Sequence, residues 1–188
     1  MTACVNGNLE MVKLFIENGA DINSKGLLGD ETALIVAANS GKKDIVKYLI
    51  ENGADINAED NIDWTALIWA SYNGHLEIVK YLVENGAEID YYIDKSALMN
   101  ASYNGHLEIV KYLIENYAEI DAKDNNGNTA LMYASISGNL EIVKYLLENG
   151  ADINSKNDDG VTALLNASYK GQLEIVKYLI ENGADINT

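Results

Sequence analysis

A seven-residue segment repeats along the chain, and this repetition constrains the fold more than any other feature. Leu-Glu-Ile-Val-Lys-Tyr-Leu occurs unchanged four times, beginning at Leu76, Leu107, Leu140 and Leu173, with close variants at residues 9–14 and 43–49. A fixed period of this kind is typical of an array of stacked units rather than of one undivided globular core. We therefore predict six structural units.

A second recurring segment, Thr/Ser-Ala-Leu, precedes the first in each complete unit. It begins at Thr32, Thr65, Ser96, Thr129 and Thr162, at spacings of 33, 31, 33 and 33 residues, and a glycine follows each start nine residues later. In the unit of Thr65, this hydroxyl side chain can cap a short first helix that Gly74 ends. Residues 76–84 then predict a second helix, and the polar residues 57–64 predict a turn or hairpin.

Two sets of recurring side chains are expected to pack the units together. Small residues in the first helix, such as Ala66, Ala70 and Ser71, would let the first helices of neighbouring units approach closely. One tyrosine recurs in the second helix of every complete unit, and we predict that these tyrosines belong to the core: Tyr48, Tyr81, Tyr112, Tyr145 and Tyr178.

Two short helices and a hairpin-like finger in about 33 residues resemble the ankyrin repeat. The residues that carry this resemblance include Gly74-His75-Leu76-Glu77-Ile78-Val79-Lys80 and Glu51-Asn52-Gly53-Ala54-Asp55-Ile56-Asn57, each recurring with small changes. The resemblance covers nearly the whole chain. It implies an all-α repeat solenoid of stacked helix-turn-helix units with short β-hairpin-like fingers.

The resemblance also implies repeat boundaries and one local difference from the family. We expect a single array with a truncated first repeat at 1–22, followed by repeats at 23–56, 57–89, 90–120, 121–153 and 154–188. Where the family usually has Thr-Pro-Leu-His, the proline and histidine are absent, and the histidine position holds Ile35, Ile68, Met99, Met132 or Leu165. Apolar packing is therefore expected to replace the hydrogen bonds of that histidine.

Charge and composition argue against several classes of partner. The formal net charge of −16 would repel the phosphates of nucleic acids and of anionic membranes. The acidic residues are scattered, which favours a solubilising surface, with a basic partner as the alternative. Apolar runs are too short to span a membrane, no leader is visible, and a single cysteine forms no intrachain disulfide, so we expect a cytoplasmic location.

Nothing in the sequence predicts catalysis. His75 and His106 occupy the same position in neighbouring units, where other units carry Lys42, Asn139 or Gln172, so a local structural role is expected. Cys4 has no base that the sequence reveals and is interpreted as a packing residue. No unique carboxylate pair or phosphate-binding glycine loop is present. We therefore expect no enzyme activity, no metal and no cofactor.

Positions that differ between repeats are candidates for recognition, because positions that agree serve the scaffold. The resemblance implies that the fingers and the exposed side of the first helices line a concave surface that binds a partner protein. Trp64 and Trp69, the only tryptophans, are the strongest candidates, because aromatic residues are enriched in binding hot spots. Tyr72, Tyr103 and Tyr169 share one position and could instead pack between first helices. The full predicted set is Trp64, Trp69, Tyr72, Tyr91, Tyr92, Ile93, Asn100, Tyr103, Tyr133 and Ile136.

These features predict a non-catalytic protein–protein interaction module. A structural or targeting segment of a longer multidomain ankyrin protein is one alternative, and an engineered binding scaffold is another, although the irregular fingers argue against the latter. A monomer is expected, with end-to-end association through uncapped termini as the alternative. Tyr117 stands where other units have a capping glycine, and a left-handed conformation there would cost on the order of 1 kcal/mol.

Overall fold

The described part of the chain is entirely helical except for its connecting loops. A computed structural model describes residues 1–26, 29–90 and 96–187. Within these residues twelve helices follow one another: α1 (Thr2–Val5), α2 (Leu9–Glu17), α3 (Ala33–Asn39), α4 (Lys43–Glu51), α5 (Ala66–Tyr72), α6 (Leu76–Glu84), α7 (Ala97–Asn104), α8 (Leu107–Glu115), α9 (Ala130–Ser137), α10 (Leu140–Glu148), α11 (Ala163–Tyr169) and α12 (Leu173–Glu181). The predicted all-α repeat architecture is confirmed.

The chain divides into two compact units, Met1–Ile89 and Asp90–Thr188, called here the N-terminal and C-terminal units. Within the N-terminal unit α3 packs on α5, and α4 packs on α2 and α6. Within the C-terminal unit α9 packs on α7 and α11, and α10 packs on α8 and α12. First helices therefore stack on first helices, and second helices on second helices, which is the arrangement that a repeated sequence predicts.

Hydroxyl side chains begin the first helices, as predicted. Thr65 precedes α5, and its Oγ1 accepts a hydrogen bond from the backbone N–H of Ile68 at 3.4 Å. The same bond, from the N–H three residues on, recurs at Thr32, Ser96, Thr129 and Thr162. Such a cap typically contributes about 1 kcal/mol to helix stability.

Small side chains line the contact between neighbouring first helices. Ala66, Ala70 and Ser71 of α5 have no exposed surface, which confirms the predicted close packing. Apolar residues also fill four of the five positions where the family usually has histidine, since Ile35, Ile68, Met99 and Met132 are at most 2% exposed. Leu165 in α11 is 36% exposed, so apolar burial does not extend to this last repeat.

The second-helix tyrosines are not core residues, contrary to the sequence-based expectation. Tyr48, Tyr81, Tyr112, Tyr145 and Tyr178 are all half-buried. A lysine of the preceding repeat lies against two of these rings: Lys47 Nζ is 5.5 Å from the centre of the Tyr81 ring, and Lys144 Nζ is 6.0 Å from that of Tyr178. Burial and the neighbouring Glu51 carboxylate raise the pKa of Tyr81. Aliphatic residues such as Val79 and Leu82 form the core instead.

Polar side chains link the loops of successive repeats. Asn23 Oδ1 accepts a hydrogen bond from the backbone N–H of Asp55 at 2.8 Å, and Asn57 Oδ1 accepts one from Glu88 at 3.0 Å. In the C-terminal unit the same bond joins Glu119 to Asp90, Asp152 to Asp121, and Asp185 to Asn154. The carboxylates and amides of this repeated segment therefore serve the scaffold, as expected.

Tyr117 adopts the left-handed backbone conformation of the glycines that stand at its position in other repeats. Its φ is +71°, and 93% of the residue is exposed. Gly53 and Gly86, at the same place in other repeats, have φ of +89° and +92°, and no atom lies within 4 Å of where their Cβ would be. The cost at Tyr117 is thus one of backbone strain and not of a clash.

Candidate functional site

A buried aspartate organises the finger that carries Trp64. Asp60 is 5% exposed, and its Oδ1 accepts hydrogen bonds from the backbone N–H groups of Ile62 and Trp64, both at 3.0 Å. The backbone N–H of Asp60 in turn donates to the carbonyl of Trp64 at 3.1 Å, and an isolated antiparallel bridge joins Glu59 to Thr65. The finger is therefore a tight turn closed around one carboxylate.

The same aspartate joins the finger to the first helix. Asp60 Oδ2 accepts a hydrogen bond from Trp69 Nε1 at 2.8 Å, and Trp69 lies one turn inside α5. Ring centres are 4.6 Å apart for Trp64 and Trp69, 5.5 Å for Trp64 and Tyr72, and 6.0 Å for Trp69 and Tyr72. We call these three rings the aromatic cluster. Distances and tilts in this range are those of favourable aromatic contacts, so the rings support one another.

The aromatic cluster reaches the surface. Both tryptophans are half-buried, Tyr72 is 38% exposed, and Ile62 at the tip of the finger is 50% exposed. Asp60 accepts the indole N–H of Trp69, so the polar atom of this ring is satisfied and the ring is tied to the finger. Rigid aromatic side chains of this kind lose little conformational entropy on binding.

The C-terminal unit contains the equivalent aspartate in a different setting. Asp124 is 7% exposed and accepts hydrogen bonds from the backbone N–H groups of Asn126 and Asn128, at 2.9 and 2.8 Å. The hydroxyl of Tyr133 donates to its Oδ2. Burial acts to raise the pKa of Asp124, but the hydrogen bonds from Tyr133 and Asn128 outweigh it and hold this pKa below its usual range.

Two predicted contact residues are interior. Asn100 is 4% exposed and its Nδ2 donates to the carbonyl of Ser96, while Tyr133 is 8% exposed. Neither offers enough side-chain surface to meet a partner directly, because α7 and α9 pack face to face around them. Both are packing residues that lie beneath the surface formed by the fingers and first helices. Tyr91, Tyr92 and Ile93 lie outside the described residues.

The three tyrosines that share one first-helix position, Tyr72, Tyr103 and Tyr169, are all exposed but differ in their ring contacts. Tyr103 is 46% exposed and meets the edge of the Tyr133 ring, with ring centres 6.0 Å apart. Tyr169 is 86% exposed, and Ile136 is half-buried. Tyr72 is thus the one member of this position that the structure places in a cluster with two tryptophans.

Residues outside the fingers match the structural interpretation given to them. His75 Nε2 hydrogen-bonds the carbonyl of Asn39 in the preceding repeat at 3.1 Å, and Asn139, at the equivalent position, donates to the carbonyl of Ser102 at 2.9 Å. Cys4 is 2% exposed, and burial raises the pKa of its thiol.

The described residues contain no group of three His, Cys, Asp or Glu side chains placed to hold a metal ion, and none of their helices is long and apolar enough to cross a membrane.

Sequence reasoning missed Asp60 and Asp124, which hold the fingers in place. The signal was available: each aspartate stands five residues before the capping threonine, and each is followed nine residues later by an aromatic residue with a polar hydrogen. Asn157 and Asn166 hold these places in the last repeat, so the pattern shows only when chemistry, and not identity, is compared.

The family comparison agrees with this architecture. The family model for ankyrin repeats in three copies matches residues 1–93 and again residues 98–188, so the chain belongs to the ankyrin repeat family. Ankyrin repeats are generally protein–protein interaction modules and are typically non-catalytic. A comparison with curated proteins gives no match.

Proposed function

We propose that this protein is a non-catalytic interaction module that binds a partner protein through its fingers and first helices, with the aromatic cluster of Trp64, Trp69 and Tyr72 as the anchor. The single observation that carries the proposal is the cluster itself. Three aromatic rings lie within 6.0 Å of one another at the surface, and a buried carboxylate fixes one of them.

The arrangement has the properties of a binding hot spot. Hot spots are enriched in Trp and Tyr, and they lie where neighbouring side chains already exclude water. Trp64 and Trp69 are half-buried by their own neighbours, so a partner needs to cover only their remaining surface. In the C-terminal unit, taken by itself, Tyr103 and Ile136 are proposed as further contact residues.

The test begins with a partner peptide selected from a random display library against the immobilised protein. Trp64→Ala and Tyr72→Ala should each weaken its binding by about 2 kcal/mol, roughly thirtyfold in Kd, if the rings are anchors. Neither change removes an atom that hydrogen-bonds Asp60, since Trp64 uses its backbone N–H for that bond. Isothermal titration calorimetry measures the effect.

Tyr169→Ala is the matched control. Tyr169 occupies the same first-helix position as Tyr72 and is more exposed, at 86%, but it lies in α11 without a tryptophan partner among the described residues. This variant should bind like the wild type. Unchanged affinity in Trp64→Ala and Tyr72→Ala, with both variants folded by circular dichroism, would overturn the proposal.

A further inference from the structure

Two neighbouring fingers of the N-terminal unit, one of which carries Trp64, are rich in carboxylates. These fingers are joined by a hydrogen bond from the backbone N–H of Asn61 to the carbonyl of Gly29, at 2.9 Å. Their described residues carry five acids, Asp30, Glu31, Glu59, Asp60 and Asp63, and one cation, Lys25. We call these five acids the acidic rim.

The rim acids are not used in ion pairs of the described structure. Its six ion pairs all involve glutamates and lysines of the second helices, such as Lys43 with Glu77 at 3.0 Å and Lys111 with Glu108 at 2.7 Å. Asp30, Glu31, Glu59 and Asp63 take part in none of them. Their charge is therefore available to a partner.

One of these carboxylates has an unfilled acceptor. Glu59 Oε1 is shielded from solvent and has no hydrogen-bond donor in the described structure, although its residue belongs to the bridge that closes the Trp64 finger. A shielded carboxylate oxygen without a donor is energetically costly. Glu59 as a whole is only half-buried, so an ammonium or guanidinium group brought by a partner could approach its carboxylate and supply a countercharge.

Aromatic faces add a second attraction for the same chemistry. The ring quadrupole is negative on its face, so cations are drawn to Trp and Tyr rings, and Trp is the strongest of the three aromatic residues in this respect. The chain itself contains no arginine, and all of its cationic side chains other than histidine are lysines. A guanidinium on this face would therefore have to come from a partner.

In the C-terminal unit, the fingers at residues 121–128 and 154–161 are acidic but carry no aromatic side chain. These two fingers carry Lys123 and Lys156 among their acids, and Lys123 Nζ donates to the carbonyl of Lys156 at 2.7 Å. Asn128 and Val161 stand where the N-terminal unit has Trp64. The excess of acids therefore coincides with the aromatic cluster at the finger that carries Trp64. Acids that served only to keep the protein in solution would not need aromatic rings beside them.

Resting on the protein-binding function proposed above, we propose that the partner presents a basic peptide segment, whose Arg or Lys side chains lie against the aromatic cluster and pair with the carboxylates of Asp30, Glu59 and Asp63. The rings supply the contact area, and the rim selects the charge. An acidic or neutral segment would leave the rim acids without countercharge and would be disfavoured.

The probe for this test is the peptide acetyl-hexaarginine amide, and the reporter is intrinsic tryptophan fluorescence. Both tryptophans of the chain lie in the aromatic cluster, so a change in emission reports this face alone. Asp30→Asn with Asp63→Asn removes two rim charges. Asparagine tolerates the left-handed backbone that both positions adopt, with φ of +55° and +61°.

The control variant is Asp159→Asn with Glu181→Gln, which changes net charge by the same amount at two exposed positions of the C-terminal unit. We expect saturable binding that the rim variant weakens roughly fivefold relative to the control. An unchanged tryptophan emission, or equal weakening in both variants, would overturn the basic-segment proposal.

The display selection separates failure of this inference from failure of the proposed function. Enrichment of basic peptides that need Trp64 supports both. Enrichment of neutral or acidic peptides that still lose binding on Trp64→Ala refutes the basic segment and leaves the interaction face intact. Peptides that bind equally well to Trp64→Ala and Tyr72→Ala refute the face itself.

Discussion

The fingers around Asp60 and Asp124 share a scaffold but differ in what they expose. Each aspartate is buried, holds two backbone N–H groups of its turn, and accepts a hydrogen bond from an aromatic residue nine positions on. In the N-terminal unit the residue before the capping threonine is Trp64, and the rings form a half-exposed cluster. In the C-terminal unit it is Asn128, and the tyrosine is buried.

Two positions of the repeat have separate effects on the finger. The aspartate closes the turn by hydrogen bonds, and the residue before the capping threonine determines whether that turn presents an aromatic side chain. Asn157 shows that an amide can hold the turn as well, since its Oδ1 accepts the N–H groups of Asp159 and Val161 at 3.1 and 2.8 Å. The hydrogen-bonded turn is thus common to both units, whereas among the described residues the two-tryptophan cluster occurs only around Asp60.

The largest expected effect comes from removing either aspartate. Asp124→Ala leaves several donors of its finger without an acceptor and should lower the free energy of unfolding by roughly 3 kcal/mol, and Asp60→Ala by roughly 2 kcal/mol, because Asp60 accepts fewer bonds. Urea denaturation followed by circular dichroism measures both. Asp124→Asn and Asp60→Asn are the controls and should lose less, as Asn157 illustrates; equal losses for Ala and Asn would contradict the role given to the acceptor oxygen.

The depressed pKa of Asp124 gives a stability effect that depends on pH. Because the folded state favours the ionised carboxylate, its contribution is complete above the unfolded-state pKa of about 4 and is lost as pH falls through the lower, folded-state pKa. The difference in urea midpoint between wild type and Asp124→Asn should therefore shrink as pH falls from about 5 to about 2.5. A difference that stays constant over this range would show that the charge of Asp124 contributes nothing.

Tyr117 in the C-terminal unit and Gly86 in the N-terminal unit occupy equivalent left-handed positions, so exchanging the two residue types measures the strain at this cap. Tyr117→Gly should raise stability by about 1 kcal/mol, about 2–4 °C in Tm, by relieving the left-handed strain. Gly86→Tyr should lower it by a similar amount, since the space around the Gly86 Cβ position is open. Differential scanning calorimetry of both variants tests whether the gain and the loss are of similar size. A destabilised Tyr117→Gly would mean that the exposed ring stabilises the fold.

Much of the scaffold was predictable because it is periodic. The second helix at Leu76–Glu84, the threonine caps and the small residues between first helices each recur at one position per repeat, so the pattern alone locates them. The second-helix tyrosines recur too, yet they are half-buried. Recurrence shows that a residue serves the scaffold but not how deeply it is buried, because a lysine of the preceding repeat can cover a ring at the surface, as Lys47 covers Tyr81.

The candidate site was predictable only in part. Trp64 and Trp69 stood out because no other repeat has them, but their link through Asp60 joins a loop to a helix nine residues away. Burial of Asn100 and Tyr133 depends on how α7 and α9 meet, which a variable position in the sequence does not reveal. Sequence variability between repeats indicated the fingers and first helices as the candidate surface, whereas the exposure of each residue depends on how the helices pack.

The smallest expected effect concerns three equivalent serines in the first helices. The hydroxyls of Ser71, Ser102 and Ser135 are buried without a hydrogen-bond partner in the described structure, and Ala38 occupies the same position in an earlier repeat. Ser71→Ala and Ser135→Ala should each leave stability unchanged or raise it by up to about 1 kcal/mol, equally in both units. A clear loss in chemical denaturation would show that the hydroxyl has a partner after all.

Nuclear magnetic resonance of the two indole N–H groups tests directly whether a bound partner contacts the aromatic cluster. A ¹⁵N-labelled sample should show two indole signals, and Trp69→Phe assigns them. On titration with a selected partner peptide, the Trp64 signal should shift or broaden in proportion to binding, and Tyr72→Ala should weaken this response while Tyr169→Ala leaves it intact. A peptide that binds tightly without moving either indole signal would show that the aromatic cluster is not the binding face.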